Sequence, residues 1–175
     1  MTSTVEKTVL VINCGSSSVK FAIIDPKTGH VYLNGIAEAL TLDDARIDWR
    51  FEGQEKQKDT LGKGADHQVA INYLNNNILA SAPELLKSIC AVGHRIVQGG
   101  ELYSEPTLVT DEVEAGIEKC IPFAPLHNPA HLIGIRAARK AFSTVPHVTV
   151  FDTAFHQTMP PVAYRFAIPE ELYTK

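Results

Sequence analysis

The sequence predicts an α/β protein: a mixed β-sheet with both faces partly covered by helices. Three observations carry that expectation. Short apolar runs broken by turn residues fill the first third of the chain, the hydrophobic spacing changes to a helical period after Asp66, and strand-like and helix-like segments alternate from Ile89 onward.

Val9 to Asn13 is a compact apolar run, broken at Gly15-Ser16-Ser17-Ser18 and resumed over Val19 to Ile24, which predicts two strands joined by a tight turn. Asp25-Pro26-Lys27-Thr28-Gly29 turns the chain again. A third strand near Val31 to Ala37 and a fourth near Arg46 to Phe51 extend the pair into an antiparallel meander, and the polar stretch Gln54 to Gly64 reads as a mobile loop. Ile71, Leu74 and Ile78 fall at helical spacing behind Asp66, whose carboxylate suits an N-cap. Ile89 to Val97 reads as a buried strand ending at Gly99-Gly100. Thr110 to Cys120 opens with a capping residue and acidic side chains, which the positive end of a helix dipole stabilises. Asn128-Pro129 starts another helix, asparagine as cap and proline at the first position, with Ala130, Ile133, Ala137 and Ala141 as its apolar stripe. Val145 to Phe151 is a last strand running directly into Asp152. Pro160-Pro161 and the tail Tyr164 to Lys175 leave no room for another packed unit.

Composition narrows the function. The chain has 175 residues, 45% hydrophobic and 21% charged, so its core needs neither disulfide nor structural metal. Sixteen basic and 20 acidic residues give a net charge of −4, with no run of lysine or arginine. That excludes a general nucleic-acid binder or anionic-membrane binder and leaves room for a local phosphate site. Cys14, Cys90 and Cys120 form no C-x-x-C pair and are odd in number, which fits reduced thiols in a cytoplasm. Met1 to Lys7 leads into an apolar run, Val9 to Ile12, too brief for a signal-peptide core or a membrane span, so a cytoplasmic location is expected.

Four stretches hold groups suited to chemistry. Asn13-Cys14-Gly15-Ser16-Ser17-Ser18-Val19-Lys20 puts hydroxyls, backbone N–H groups and a lysine around one turn, the makings of a phosphate cradle. It lacks the second glycine of a G-x-x-x-x-G-K-[ST] loop, and a solvated serine-rich hairpin is the alternative. Arg95, in His94-Arg95-Ile96-Val97-Gln98-Gly99-Gly100-Glu101, can bind phosphate or carboxylate through its planar fork, or form an ion pair with Glu101. His127 stands before a helix N-terminus, where anions are favoured; His131 reads as a helix-surface or satisfied residue, since a metal pair at i, i+4 would need His127 inside the helix. Asp152, at the end of an apolar strand, can orient a nucleophile, hold Mg²⁺ through water, or simply cap a turn. Cys14 has no neighbouring base and reads as packing.

Taken in order, VLVINCGSSSVKF, GHRIVQGGE, FAPLHNPAHLIGI and VFDTAFHQTMP resemble the N-terminal part of the acetate kinase family, within the superfamily of acetate and sugar kinases, actin and heat-shock ATPases. The resemblance implies a ribonuclease H-like, actin-like ATPase domain over residues 1–155, with residues 156–175 beginning a truncated second domain. It implies phosphoryl transfer from ATP to acetate, with Mg²⁺ or Mn²⁺ as cofactor. Asn13, Ser16, Ser18 and Lys20 would face ATP, Asn13 also the metal. Arg95, His127 and Asp152 would be catalytic, and Arg95, Val97 and Leu126 would meet the acyl substrate. Gln98 stands where many family members have histidine. Family members are longer, two-domain homodimers with the site in the cleft; a further histidine motif, a second arginine, adenosine-binding loops, a metal-linked glutamate and a covering C-terminal helix would lie beyond Lys175. The isolated chain is therefore expected to be inactive or nearly so. Propionate or butyrate kinases would carry nearly the same motifs; a non-catalytic nucleotide-binding module and a metallohydrolase using His127, His131 and His156 are the readings from other classes.

Overall fold

The computed structural model describes residues 7–173, so Met1 to Glu6 and the last two residues of the tail lie outside the described residues. β1 (Thr8–Gly15) and β2 (Ser18–Ile24) pair antiparallel, with Asn13 opposite Lys20 and Gly15 opposite Ser18. β3 (Val31–Glu38) and β4 (Arg46–Phe51) continue the expected meander. Within the stretch expected to be a mobile loop, β5 (Gln57–Thr60) pairs with β4. All four of its residues are exposed, so no alternation of hydrophobicity marks it, and its polar composition suits a sheet edge. Beyond come β6 (Ile89–Ile96), the two-residue β7 (Thr107–Leu108) and β8 (His147–Phe151). The sheet order is β5-β4-β3-β2-β1-β6-β8-β7, with β1, β6 and β8 mutually parallel and the other pairs antiparallel.

Asp66 caps α1 (His67–Tyr73) by accepting a hydrogen bond from the Val69 N–H, and the chain continues through a π turn over Leu74–Ile78. α2 (Pro83–Ser88) was not expected from spacing; six residues are too few to show a period. Thr110 caps α3 (Asp111–Lys119) through Val113 N–H, as its sequence predicts. α4 (Asn128–Ala141) begins where expected, but His127 occupies the cap and Asn128 is fully buried with its side chain turned away. Its apolar face also differs. Leu132, Ile135 and Ala138 join Ala130 and Ala137 in the interior, while Ile133 is 49% exposed, because α4 packs at once on the sheet, α1 and α3.

Leu10, Ile12, Phe21 and Ile23 of the sheet pack with Ile71, Leu74, Leu85, Ala138 and Phe142; Ile96 and Phe151 pack with Val113, Ile117, Leu132 and Ile135. All these sheet positions share one face. Both crossovers, β5 to β6 and β6 to β8, pass over that face, so α1 to α4 cover one side and not two. On the other, Val9, Val11, Ala91, Gly93, Val148 and Val150 line an apolar groove of about 380 Å³. After β8 a 3₁₀ turn over Asp152–His156 leads to two single-turn helices, α5 (Pro161–Tyr164) and α6 (Glu170–Tyr173), whose residues are exposed. Cys14, Cys90 and Cys120 are free. No helix among the described residues is long and apolar enough to cross a membrane.

One contact sets how closely α4 approaches β1. A β-carbon on Gly134 would overlap Cys14 Sγ and stand 3.0 Å from Cys14 Cβ. Gly134→Ala is expected to lower stability by about 1–3 kcal/mol through this overpacking; an unchanged denaturant midpoint would contradict the close approach.

Candidate active site

β1, β6 and β8 point their C-terminal ends to one edge of the sheet. From β1 the chain passes to β2 on one side; from β6 it proceeds to β8 on the other. Between β1 and β6, therefore, the connections leave in opposite directions, which is where open α/β sheets form a ligand crevice. Arg95, near the end of β6, bridges it. Its Nε donates to Asp152 Oδ1 at 3.1 Å, its Nη2 to Asp152 Oδ2 at 2.7 Å, and its Nη1 to Asn13 Oδ1 at 3.4 Å. The alternative pairing of Arg95 with Glu101 is not formed among the described residues.

The side chains of Arg95 and Asp152 are 49% and 43% exposed. An exposed ion pair contributes only about 0–1 kcal/mol to a fold, so the value of this one lies in orientation. The two-pronged grip occupies Nε–H and one Nη2–H. The outer Nη1/Nη2 edge, with two further N–H groups, remains directed away from the carboxylate and is the natural seat for an anion.

The serine turn beside it is held from the core side: the His67 ring nitrogen Nε2 lies 2.7 Å from the Gly15 carbonyl, and Leu40 N–H donates to the Ser17 carbonyl. The side chains of Ser16, Ser18 and Lys20 make no hydrogen bond among the described residues and are left for solvent or ligand. Lys20, as the cross-strand partner of Asn13, projects from the same sheet face.

Three loops are stitched together around the crevice. Asn128 Nδ2 donates to the carbonyls of Gln98 (2.9 Å) and Ile117 (3.3 Å), and Gln98 N–H donates back to Asn128 Oδ1 (3.3 Å). Gln98 Oε1 accepts from Gly100 N–H, and Thr153 Oγ1 from Gly99 N–H. The Gln98 side chain thus shapes its own loop. This clamp sets the α4 N-terminus, and with it His127, which is exposed and makes no side-chain capping bond. Leu126, 77% exposed, precedes it; Val97 is half-buried just after β6. Arg95 contacts both Asn13 and Asp152, whereas Ser16 lies in the turn after β1, Ser18 and Lys20 at the start of β2, Val97 just after β6, and Leu126 and His127 just ahead of α4. Asn128, Thr153 and His131 were not foreseen as part of this edge; Asn128 was legible only as a cap, and nothing in the spacing marks the other two.

His131 corrects its expected place. It is 3% exposed, and neither ring nitrogen has a partner among the described residues. Burial and the nearby charges of Arg95 and His127 push its pKa down to about 4, while Asp152 opposes that shift. Deeper still, His94 Nε2 lies 3.0 Å from His147 Nδ1, and His147 Nε2 3.1 Å from the Phe142 carbonyl. A carbonyl can only accept, so His147 Nε2 carries the proton, its Nδ1 accepts, and His94 Nε2 donates. Burial first, then His147 and His131, push the pKa of His94 down to about 3. Burial likewise pushes the Cys14 thiol up to about 12, in keeping with packing.

Metal chemistry through histidine finds no support in this arrangement: the His127 and His131 rings stack 6.4 Å apart, and no group of three or more His, Cys, Asp or Glu among the described residues could hold a metal. Asn13 and Asp152 instead offer hard oxygen atoms. Such donors, few in number, fit Mg²⁺ or Mn²⁺ held mainly by water and substrate phosphates.

Fold and crevice together define a domain of the ribonuclease H-like, actin-like ATPase class. The chain belongs to the acetokinase family, whose model matches residues 8–175. It is 58% identical to an acetate kinase of Proteus mirabilis over 172 residues, covering 95% of this chain and 42% of that protein, and 58% identical to one of Mannheimia succiniciproducens. Among solved structures, a propionate kinase from Francisella tularensis superposes with a TM-score of 0.87 at 40% identity, covering 95% of this chain and 42% of that one. Porphyromonas gingivalis acetate kinase superposes equally well at 39% identity. The chain thus spans about two-fifths of the length of these relatives.

The buried histidines make stability depend on pH. His94 has a folded pKa near 3, below the unfolded value of 6.5. The unfolded chain therefore takes up the proton first as pH falls. Stability contributed by the neutral ring is present above pH 6.5 and lost on descent toward 3, at about 1.4 kcal/mol per pH unit. Denaturant midpoints measured between pH 7.5 and 5 are expected to fall, and His94→Gln to flatten the slope; an equal slope in both would refute the assignment.

Proposed function

We propose that this chain is the nucleotide-side domain of an acetate kinase that moves a phosphoryl group reversibly between ATP and acetate, giving acetyl phosphate and ADP. The observation that carries this reading is the Arg95 guanidinium, gripped side-on by Asp152, steadied by Asn13 and open along its outer edge. Phosphoryl transfer needs two anions held in line and the charge of the travelling group neutralised. Arg95 supplies a fixed, permanently charged fork for that group. Asp152 prevents the fork from rotating. Ser16, Ser18 and Lys20 offer donors and a positive charge to the ATP phosphates from the serine turn, and His127 stands at the helix N-terminus where a bound anion is favoured. Asn13, with Asp152 beside it, would hold Mg²⁺ or Mn²⁺, which would supply further charge neutralisation.

Val97 and Leu126 serve in this reading as the apolar contacts of the acyl methyl. The high similarity to relatives named acetate kinase favours acetate. Propionate is a second reading, favoured by the likeness to a propionate kinase and by the exposure of Leu126, which leaves that wall open. Residues 1–155 form the actin-like domain and 156–175 begin a second one, and the bare groove on β1, β6 and β8 is where further chain would pack. The whole protein acts in the cytoplasm as a homodimer on small molecules, with no nucleic acid or membrane involved.

Trapping of acyl phosphate with hydroxylamine, from Mg-ATP and acetate, propionate or butyrate, tests this. A chain extended to the length of the relatives is expected to be active on acetate, and the 175-residue chain inactive. In the extended chain Arg95→Ala should lower kcat by about 10²–10³-fold. A loss of only two- or threefold would remove Arg95 from the transition state.

A further inference from the structure

The backbone ladder between β6 and β8 ends at Ile96 opposite Phe151, so Asp152 and the loop after Arg95 both lie beyond its last rung. Side chains continue it. Thr153 Oγ1 accepts from the Gly99 N–H at 3.0 Å, and Gln157 Nε2 donates to the Gly100 carbonyl at 2.8 Å. Asn128 takes both polar groups of the Gln98 backbone, Gln98 Oε1 the Gly100 N–H, and the Leu102 N–H the Gly99 carbonyl. Every backbone donor and acceptor of residues 98–100 is therefore bonded, and the loop is complete before any ligand arrives.

Two of these partners come from the far side of the site. Thr153 lies in the 3₁₀ turn that Asp152 opens, and Gln157 ends that turn: its N–H donates to the Ala154 carbonyl while its side chain reaches across to Gly100. The turn has little else to hold it. None of its residues is fully buried, and only Ala154 packs, half-buried, against the neighbouring core. Asp152 itself is bonded to Arg95 alone through both of its oxygens.

We infer that Gln157 is a positioning residue of the site: by tying the end of the Asp152 turn to the loop after Arg95, it holds the carboxylate where both oxygens meet the Arg95 fork. Thr153 makes the matching tie one residue after Asp152. That the fork serves a phosphoryl group rests on the reading above; the tie does not. A neutral hydrogen bond at an exposed position adds little to the fold, so the worth of this one, like that of the ion pair it supports, lies in geometry.

In ¹⁵N spectra of the 175-residue chain, with no ligand added, Gln157→Met removes the donor at nearly the same length and should speed exchange of the Arg95 Nε–H about fivefold, the effect of one lost bond. Gln157→Lys, whose ammonium can still donate to the Gly100 carbonyl, should stay close to wild type. An Asp152→Asn background shows whether the effect runs through Asp152: there the fork has already lost its charged partner, and Gln157→Met should add nothing further. Because Gln157 is exposed, the methionine variant should melt with the wild type. Equal exchange in wild type and Gln157→Met would overturn the inference. So would the same fivefold step persisting in the Asp152→Asn background, equal acceleration in Gln157→Lys, or a lowered melting temperature of Gln157→Met. Since no ligand takes part, a chain that binds neither phosphate nor nucleotide would count against the proposed function alone.

Discussion

The bond on which the rest depends joins Arg95 to Asp152. It links the ends of two parallel strands, β6 and β8, across the edge where β1 also ends, and Asn13 extends it to β1. None of these residues would be near the others without the parallel arrangement, and that arrangement exists because α3 and α4 carry the chain back over the sheet between β6 and β8. The site is thus a product of topology before it is a product of side chains. Its weak contribution to stability, at about half exposure, matches a group kept available to a ligand and not one spent on holding the fold together.

Support for that bond comes from beneath and from the sides. Gly134 lets α4 settle on Cys14, which brings the α4 N-terminus to the level of the strand ends. Asn128 then ties that terminus to the loop after β6, and Thr153 ties the same loop to the turn after β8. Gly99 has to be glycine for this, since a β-carbon there would stand 2.7 Å from the Phe151 ring. The result is a rigid frame under exposed functional groups, the arrangement that lets an anion be bound without first ordering the site.

Much of this was legible in the sequence. β1 to β4 announce themselves by alternation and turn residues, and Asp66 and Thr110 mark their helices because capping is a local matter. Asn13, Arg95, His127 and Asp152 were each visible as polar groups at the ends of apolar segments. What stayed hidden depends on distant partners. β5 and β7 are strands only because neighbours offer them backbone bonds. Asn128 looks like a cap and is a clamp because Gln98, thirty residues earlier, lies beside it. His131 looks like a surface residue on a helical wheel, and only the packing of α4 between the sheet and two helices seals it in. The expectation of two covered faces failed for a similar reason: the handedness of both crossovers, which sequence pattern does not display, sends every packed helix to the same side.

The account stands on the strand-end crevice being an anion site. The direct measurement is a titration of the ¹⁵N-labelled 175-residue chain with inorganic phosphate, followed by the amide and guanidinium signals. Shifts confined to the serine turn, Arg95 and its loop, the α4 N-terminus and Asp152 are predicted. Shifts appearing only around Asn34, Trp49, Arg50 and Lys56, which with Lys20 line a neighbouring groove of about 450 Å³ on the antiparallel side, and not at Arg95 or the α4 N-terminus, or none at all at saturating phosphate, would contradict it.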